Sequence, residues 1–260
     1  MKRAIFLILI FVSALSYSAE NALSFRNINN SYVQCFTSTS LNLIATNSSG
    51  ITYEAYVLRY STGNTDEFRT IFDRENGTGG IQFAFVANTL GAEVWRSGGV
   101  TQYRTIASPG NGEISANVWH HVAFCLTATS GTFFVDGKKR GSTRGGTAGL
   151  PTTASTSAKI SGSPYATEYM DGIIDEVRIS SVVRYTVDFT TSASAFTSDS
   201  FTHGLWHLDE GSGIATVDSS AKGNNGELVN SPTWVAGYPF SEATTAVIIK
   251  KLTPKIIWID

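Results

Sequence analysis

Four carboxylates crowd into one short stretch, EYMDGIIDEVR at 168–178: Glu168, Asp171, Asp175 and Glu176. Paired carboxylates are the chemistry of glycoside hydrolysis, and a retaining enzyme needs its two carboxyl groups about 5 Å apart. On an extended strand, successive side chains point to opposite faces. Asp175 and Glu176 should therefore diverge, and Gly172 separates them from Asp171. That spacing argues for a structural role and against a shared catalytic cleft. The histidines give a similar answer. His120 and His121 are adjacent and cannot both approach one metal from a strand, whereas His203 and His207 share strand parity. The latter pair could hold a metal, although surface histidines are the plainer reading. Among nucleophile contexts, no G-x-S-x-G elbow is present, nor is a phosphate-binding glycine loop. Cys35 and Cys125 form no CxxC or Cys/His zinc pattern, which leaves a single disulfide and two buried thiols as alternatives.

These groups need elements to position them. The segments 51–60 (ITYEAYVLRY), 81–87 (IQFAFVA), 118–127, 132–135 and 173–179 (IIDEVRI) are short and rich in β-branched and aromatic residues. Glycine- and proline-bearing breakers separate them at 77–80, 97–99, 108–112, 144–151 and 161–164. With no convincing helical period between them, they predict an antiparallel all-β sandwich or barrel. Within VWHHVAFCLTATSGTFFVDGKKRG (118–141), His120, Val122, Phe124 and Leu126 share one face and are the expected buried set. Asp136-Gly137 signals a tight hairpin. This stretch reads as architecture.

Of the 260 residues, 42% are apolar and 15% charged, enough for a full globular core. A net charge of -2 and the lack of a long basic run give no electrostatic reason to expect nucleic acid or an anionic membrane. Lys2 and Arg3, the apolar run 4–12 and small residues up to Ala19 read as a secretory signal peptide over 1–19. That run is too short to span a bilayer, so no transmembrane segment is expected in the mature chain.

The pattern W-H-H-V-A, then F-V-D-G-K, then DGIIDEVRIS at 171–180 resembles the laminin G-like, concanavalin A-like lectin/glucanase jelly-roll domains of secreted bacterial proteins. ALSF at 22–25, SYVQ at 31–34, GLWHLDEGSG at 204–213 and DSSAKGNNGELVNSPTWVAG at 218–237 carry the same resemblance. It implies two antiparallel sheets packed face to face. In similar domains the W-x-L/F-D-E-G-S-G segment precedes ALSF, whereas here it follows by about 180 residues. Two readings result. Residues 201–240 supply a permuted first strand to the sandwich of 20–200, or they begin a second repeat. The first is preferred because a lone strand exposes an unpaired edge and buries no core. The tail 241–260 matches nothing nameable.

The resemblance also brings calcium, with a glycan or extracellular protein as partner. Asn30, Asp171 and Asp175 are the candidate metal ligands. Where similar domains show F-D-G-x-D-D-Y-V, this chain reads FRNINNSYV, and amides beside Arg26 should weaken a cation there. Turn formation by Asn and salt bridging by Asp explain the same residues without an ion. Catalytic members of the fold place carboxylates at alternate positions of one strand, which 168–178 does not match. For sugar recognition the candidates are Trp95 and Tyr103, flanking the turn at 97–99, with Tyr165 and Tyr169 just before the DGIIDE strand; sheet packing is the alternative for both pairs. Trp119 and Trp206 belong to the structural pattern. The leading expectation is a secreted, non-catalytic recognition module. A structural or adhesive surface domain and a glycoside hydrolase or lyase are the alternatives.

Overall fold

In the computed structural model, the described residues are 20–35, 39–42, 50–61, 68–96, 99–105, 114–145, 149–153, 157–164 and 168–240. The expected leader 1–19, Tyr165 and the tail 241–260 lie outside them. Seventeen strands follow one another: β1 (Asn21–Phe25), β2 (Tyr32–Cys35), β3 (Gly50–Arg59), β4 (Phe68–Glu75), β5 (Gly80–Val86), β6 (Thr89–Arg96), β7 (Gly99–Thr105), β8 (Trp119–Thr127), β9 (Gly131–Val135), β10 (Lys138–Arg140), β11 (Ser142–Gly145), β12 (Ala158–Ile160), β13 (Gly172–Ser180), β14 (Thr202–Trp206), β15 (Ala215–Thr216), β16 (Gly226–Val229) and β17 (Thr233–Ala236). Among the described residues, a 3-10 turn at Asn27–Asn29 and a helical turn over 39–42 are the helical pieces between them.

The strands form two antiparallel sheets. The first runs β10-β9-β8-β3-β13-β1-β17, with β14 also on β13; the second runs β11-β7-β6-β5-β4-β12-β2-β16-β15. The all-β sandwich read from the sequence is the observed fold. Apolar residues, mostly at alternate positions of the longer strands, face across the gap, and the rings of Phe124 and Phe133, 4.7 Å apart, pack there beside Phe83. Trp206 is fully buried there, with its Nε1 donating to the Asn224 carbonyl at 2.8 Å. Asp136 (φ 50°) and Gly137 (φ 72°) turn β9 into β10, as a two-residue hairpin with both central residues left-handed requires.

Residues 202–237 contribute to both sheets. β3 lies along one edge of β13, while β1 and β14 lie end to end along the other. β17 pairs with β1 and β16 with β2. At the outer end of β1, the Asn21 amide donates to Asp209 Oδ1 at 3.0 Å and the Gly237 amide to the Glu20 carbonyl at 2.8 Å.

Three local expectations need correction. On β8, Val122, Phe124 and Leu126 do face the core, but Ala123 and Cys125 on the other face are buried too. Val183, Tyr185 and Phe189, from the irregular segment after β13, roof that face. Asp175 and Glu176 do not diverge. Ile174, Val177 and Ile179 all point into the core, so a bulge between them turns both carboxylates outward, with Glu176 at φ 51°. Finally, Cys35 and Cys125 are free thiols. Cys35 lies in the inter-sheet core and Cys125 on the far face of the first sheet, so a sheet stands between them. Burial pushes the Cys125 thiol up to about 11 and that of Cys35 higher still.

Candidate functional site: a polar row across the second sheet

Because neighbouring strands are held in register, side chains of equal parity form rows across a sheet. On the outer face of the second sheet one such row is polar throughout. Gln102, Glu93, Gln82, Asp73, Lys159, Gln34 and Glu227 stand opposite one another on β7, β6, β5, β4, β12, β2 and β16. A bulge between Thr70 and Phe72 places both Ile71 and Phe72 in the core and brings Asp73 onto the outer face beside Gln82. Six inter-strand steps make the row about 29 Å long.

Its centre and its ends differ. Gln82 is buried and donates to Glu168 Oε2 at 2.7 Å and to Thr70 Oγ1 at 3.0 Å; Ser163 Oγ donates to the same Glu168 oxygen at 2.8 Å. Asp73 beside it is 1% exposed. Its Oδ1 accepts the Glu75 amide at 3.2 Å, while Oδ2 has no hydrogen-bond partner among the described residues. Burial, then the charge of Glu75, pushes its carboxyl well above the usual carboxylate range. At one end, Gln102 donates to Glu93 at 2.7 Å. At the other, Lys159, Gln34 and Glu227 reach solvent. Tyr32, two residues before Gln34 on the same face, packs against Tyr169 with ring centroids 5.9 Å apart, and Lys159 Nζ lies 5.4 Å over the Tyr32 ring. Both tyrosines are half-buried.

Of the expected ligand-binding aromatics, Tyr169 therefore flanks the row. Trp95 shares the outer face but is only 7% exposed, and its carbonyl accepts the Thr152 amide at 3.1 Å. Tyr103 is a correction: it is 1% exposed in the inter-sheet core, its ring 5.4 Å from Phe124, because odd positions of β7 face inward.

The expected metal ligands do not gather. Asn30 ends the 3-10 turn at φ 52° and its carbonyl accepts from Asn230. Asp171 Oδ1 lies 3.0 Å from Arg26 Nε. Asp171 and Asp175 are four residues apart along extended chain, about 13 Å, too far to share one ion. Among the described residues, the histidine and acidic side chains whose ligand atoms do converge are Glu176, His207 and Asp209, on the outer face of the first sheet. The His203–His207 pair is not formed: His203 Nδ1 meets the Ser40 carbonyl at 3.0 Å, while His207 Nδ1 lies 2.6 Å from Glu176 Oε1.

Residues 27–188, more than half of the chain, match the family described as the concanavalin A-like lectin/glucanases superfamily, in its laminin G form. The chain belongs to this superfamily. Among solved structures, a putative carbohydrate-binding protein from Bacteroides ovatus aligns with a TM-score of 0.54 at 20% identity, over 86% of this chain and 65% of that one. A heptameric SAP-like pentraxin from Limulus polyphemus aligns with a TM-score of 0.54 at 10% identity, over 86% and 98%. These identities show a shared fold. No curated protein sequence matches.

In this concanavalin A-like sandwich, sequence reasoning missed Asp73, Gln82 and Tyr32. A signal for the first existed: in FDRE (72–75), Asp73 and Glu75 occupy alternate positions, the spacing that turns two carboxylates to one strand face. The register that aligns seven strands has no such signal in any single segment.

Proposed function

We propose that this protein is a secreted recognition module that binds carbohydrate on the outer face of the second sheet, at the row's Tyr32–Tyr169 end. The observation that carries the reading is the in-register polar row with an aromatic pair at one end. Sugars present hydroxyls that need closely spaced donors and acceptors, together with apolar C–H faces that pack on aromatic rings. Lys159, Gln34 and Glu227 supply the first and Tyr32 with Tyr169 the second. The buried centre, where Glu168 is held by Gln82 and Ser163, fixes the backbone from which Tyr169 projects. Secretion rests on the leader-like pattern at 1–19; among the described residues no helix is long and apolar enough to cross a membrane.

A second reading, glycoside hydrolysis, is favoured by Asp73 and Glu75 sharing one face. Glu75 Oε2, however, accepts the Gly77 amide in the turn that joins β4 to β5, which commits this carboxylate to the hairpin. Binding without bond cleavage is the better account.

A glycan array run with and without calcium tests the proposal, with Gln34→Ala and Lys159→Ala proteins in parallel. Binding to a subset of glycans that both variants weaken about tenfold is expected, with no release of reducing ends on prolonged incubation. An empty array would sink the reading in favour of an adhesive or structural domain, and newly formed reducing ends would favour the hydrolase.

A further inference from the structure

The bulge in β13 does more than interrupt pairing. By turning Asp175 and Glu176 to the same face, it brings them beside the end of β14, where His207 and Asp209 leave the sheet. Glu176 Oε1 lies 2.6 Å from His207 Nδ1 and its Oε2 accepts the Phe196 amide at 2.7 Å. Asp209 Oδ1 is held by the Asn21 amide. One ligand atom each from Glu176, His207 and Asp209 lies within 4.8 Å of the others. Bonds of about 2.0–2.2 Å to a shared ion require ligand atoms within roughly 4.4 Å of one another, a gap that small side-chain rotations close.

A second observation comes from Asp175. It is 1% exposed, its Oδ2 accepts the Tyr238 amide at 2.7 Å, and its Oδ1 is buried with no hydrogen-bond partner among the described residues. Two carboxylates thus converge on one imidazole with a third, Asp175, beside Glu176 on the same face, and among the described residues no lysine or arginine forms an ion pair with any of the three. Crowded negative charge of this kind is relieved by a cation.

We infer that Glu176, His207 and Asp209, backed by Asp175, form a binding site for a divalent transition-metal ion. An imidazole among carboxylates suits zinc, whereas calcium takes oxygen ligands alone. His207 exchanges its contact with Glu176 for the ion and leaves one half-exposed side open to water. The ion would tie the bulge of β13 to the end of β14 and, through Asp209 and Asn21, to the start of β1. It would act as a clamp on the late segment, separate from the sugar face on the opposite sheet.

The test is calorimetric titration of the chelator-treated full chain with zinc, manganese and calcium chlorides, with thermal unfolding in parallel. Expected is one-site zinc binding, a Tm rise of several degrees at saturating zinc, and much weaker calcium binding. Asp209→Asn, isosteric and exposed, and His207→Gln should each lower zinc affinity at least tenfold, whereas His203→Gln should leave it unchanged. No zinc binding to the wild-type chain, zinc binding indifferent to the first two variants, or calcium binding tighter than zinc would each overturn the inference.

Discussion

Two buried carboxylates, Glu54 on the outer face of the first sheet and Asp73 on that of the second, are treated in opposite ways. On the first sheet, Glu54 is surrounded: the Arg178 guanidinium is 2.8 Å from Oε1, while the Tyr185 hydroxyl at 2.7 Å and His121 Nε2 at 3.2 Å meet Oε2. The roof is aromatic, with Tyr185 stacked on Phe189 at 3.6 Å and the Tyr56 ring tilted against Tyr238 at 4.1 Å. On the second sheet, Asp73 keeps one oxygen without a hydrogen-bond partner among the described residues and sits in a row whose ends are open to solvent. Burial raises both groups, but His121 and Arg178 outweigh it and hold Glu54 down at about 2, whereas Glu75 adds to it at Asp73. A buried charge with its partners built in serves stability. One whose neighbours repel it marks a face with capacity left for something else.

The comparison breaks most severely at Glu54. Glu54→Gln leaves Arg178 buried without its counter-charge, and denaturant unfolding should show a loss of about 3–5 kcal/mol. A loss below about 1 kcal/mol would mean that the roof, not the ion pair, secures this face. The pH dependence of the two carboxylates has opposite sign. Glu54 titrates lower in the folded chain than in the unfolded one, so its contribution is present above about pH 4.5 and is lost as pH falls towards 2. Asp73 titrates higher when folded. The folded chain therefore holds a proton that the unfolded chain releases, and stability falls as pH rises through and above the usual carboxylate range. Asp73→Asn, which needs no proton, should raise Tm by a few degrees at pH 8 and flatten the Tm–pH curve there; an unchanged curve would show that Asp73 ionises normally. The smallest stability effect belongs to the exposed end of the row. Gln34→Ala and Lys159→Ala should shift unfolding by no more than about 0.5 kcal/mol while weakening glycan binding about tenfold, a separation that a merely structural row would not show.

The residue pattern made the strands and the Asp136-Gly137 hairpin legible because both follow from local rules: alternation of apolar residues and left-handed dihedrals at a two-residue turn. The bulges were not legible. Nothing in IIDEV distinguishes a regular strand from one in which Asp175 and Glu176 share a rung, since the difference lies in pairing with β3 and β14. The roof over His121 and Cys125 was equally hidden, because residues 181–201 form no regular element whose period could be read. Tyr103 misled for a related reason: its place beside a glycine turn says nothing of which face an inward-pointing strand position takes. The polar row was the least accessible feature, being assembled from seven segments spread between Tyr32 and Val229.

The most direct test is amide chemical-shift mapping of the labelled protein titrated with its strongest array glycan. The account predicts perturbations concentrated in β2, β12, β16 and residues 168–170, with the roof at 181–201 unmoved. Perturbations centred on that roof, or on Glu176 and His207, would contradict it.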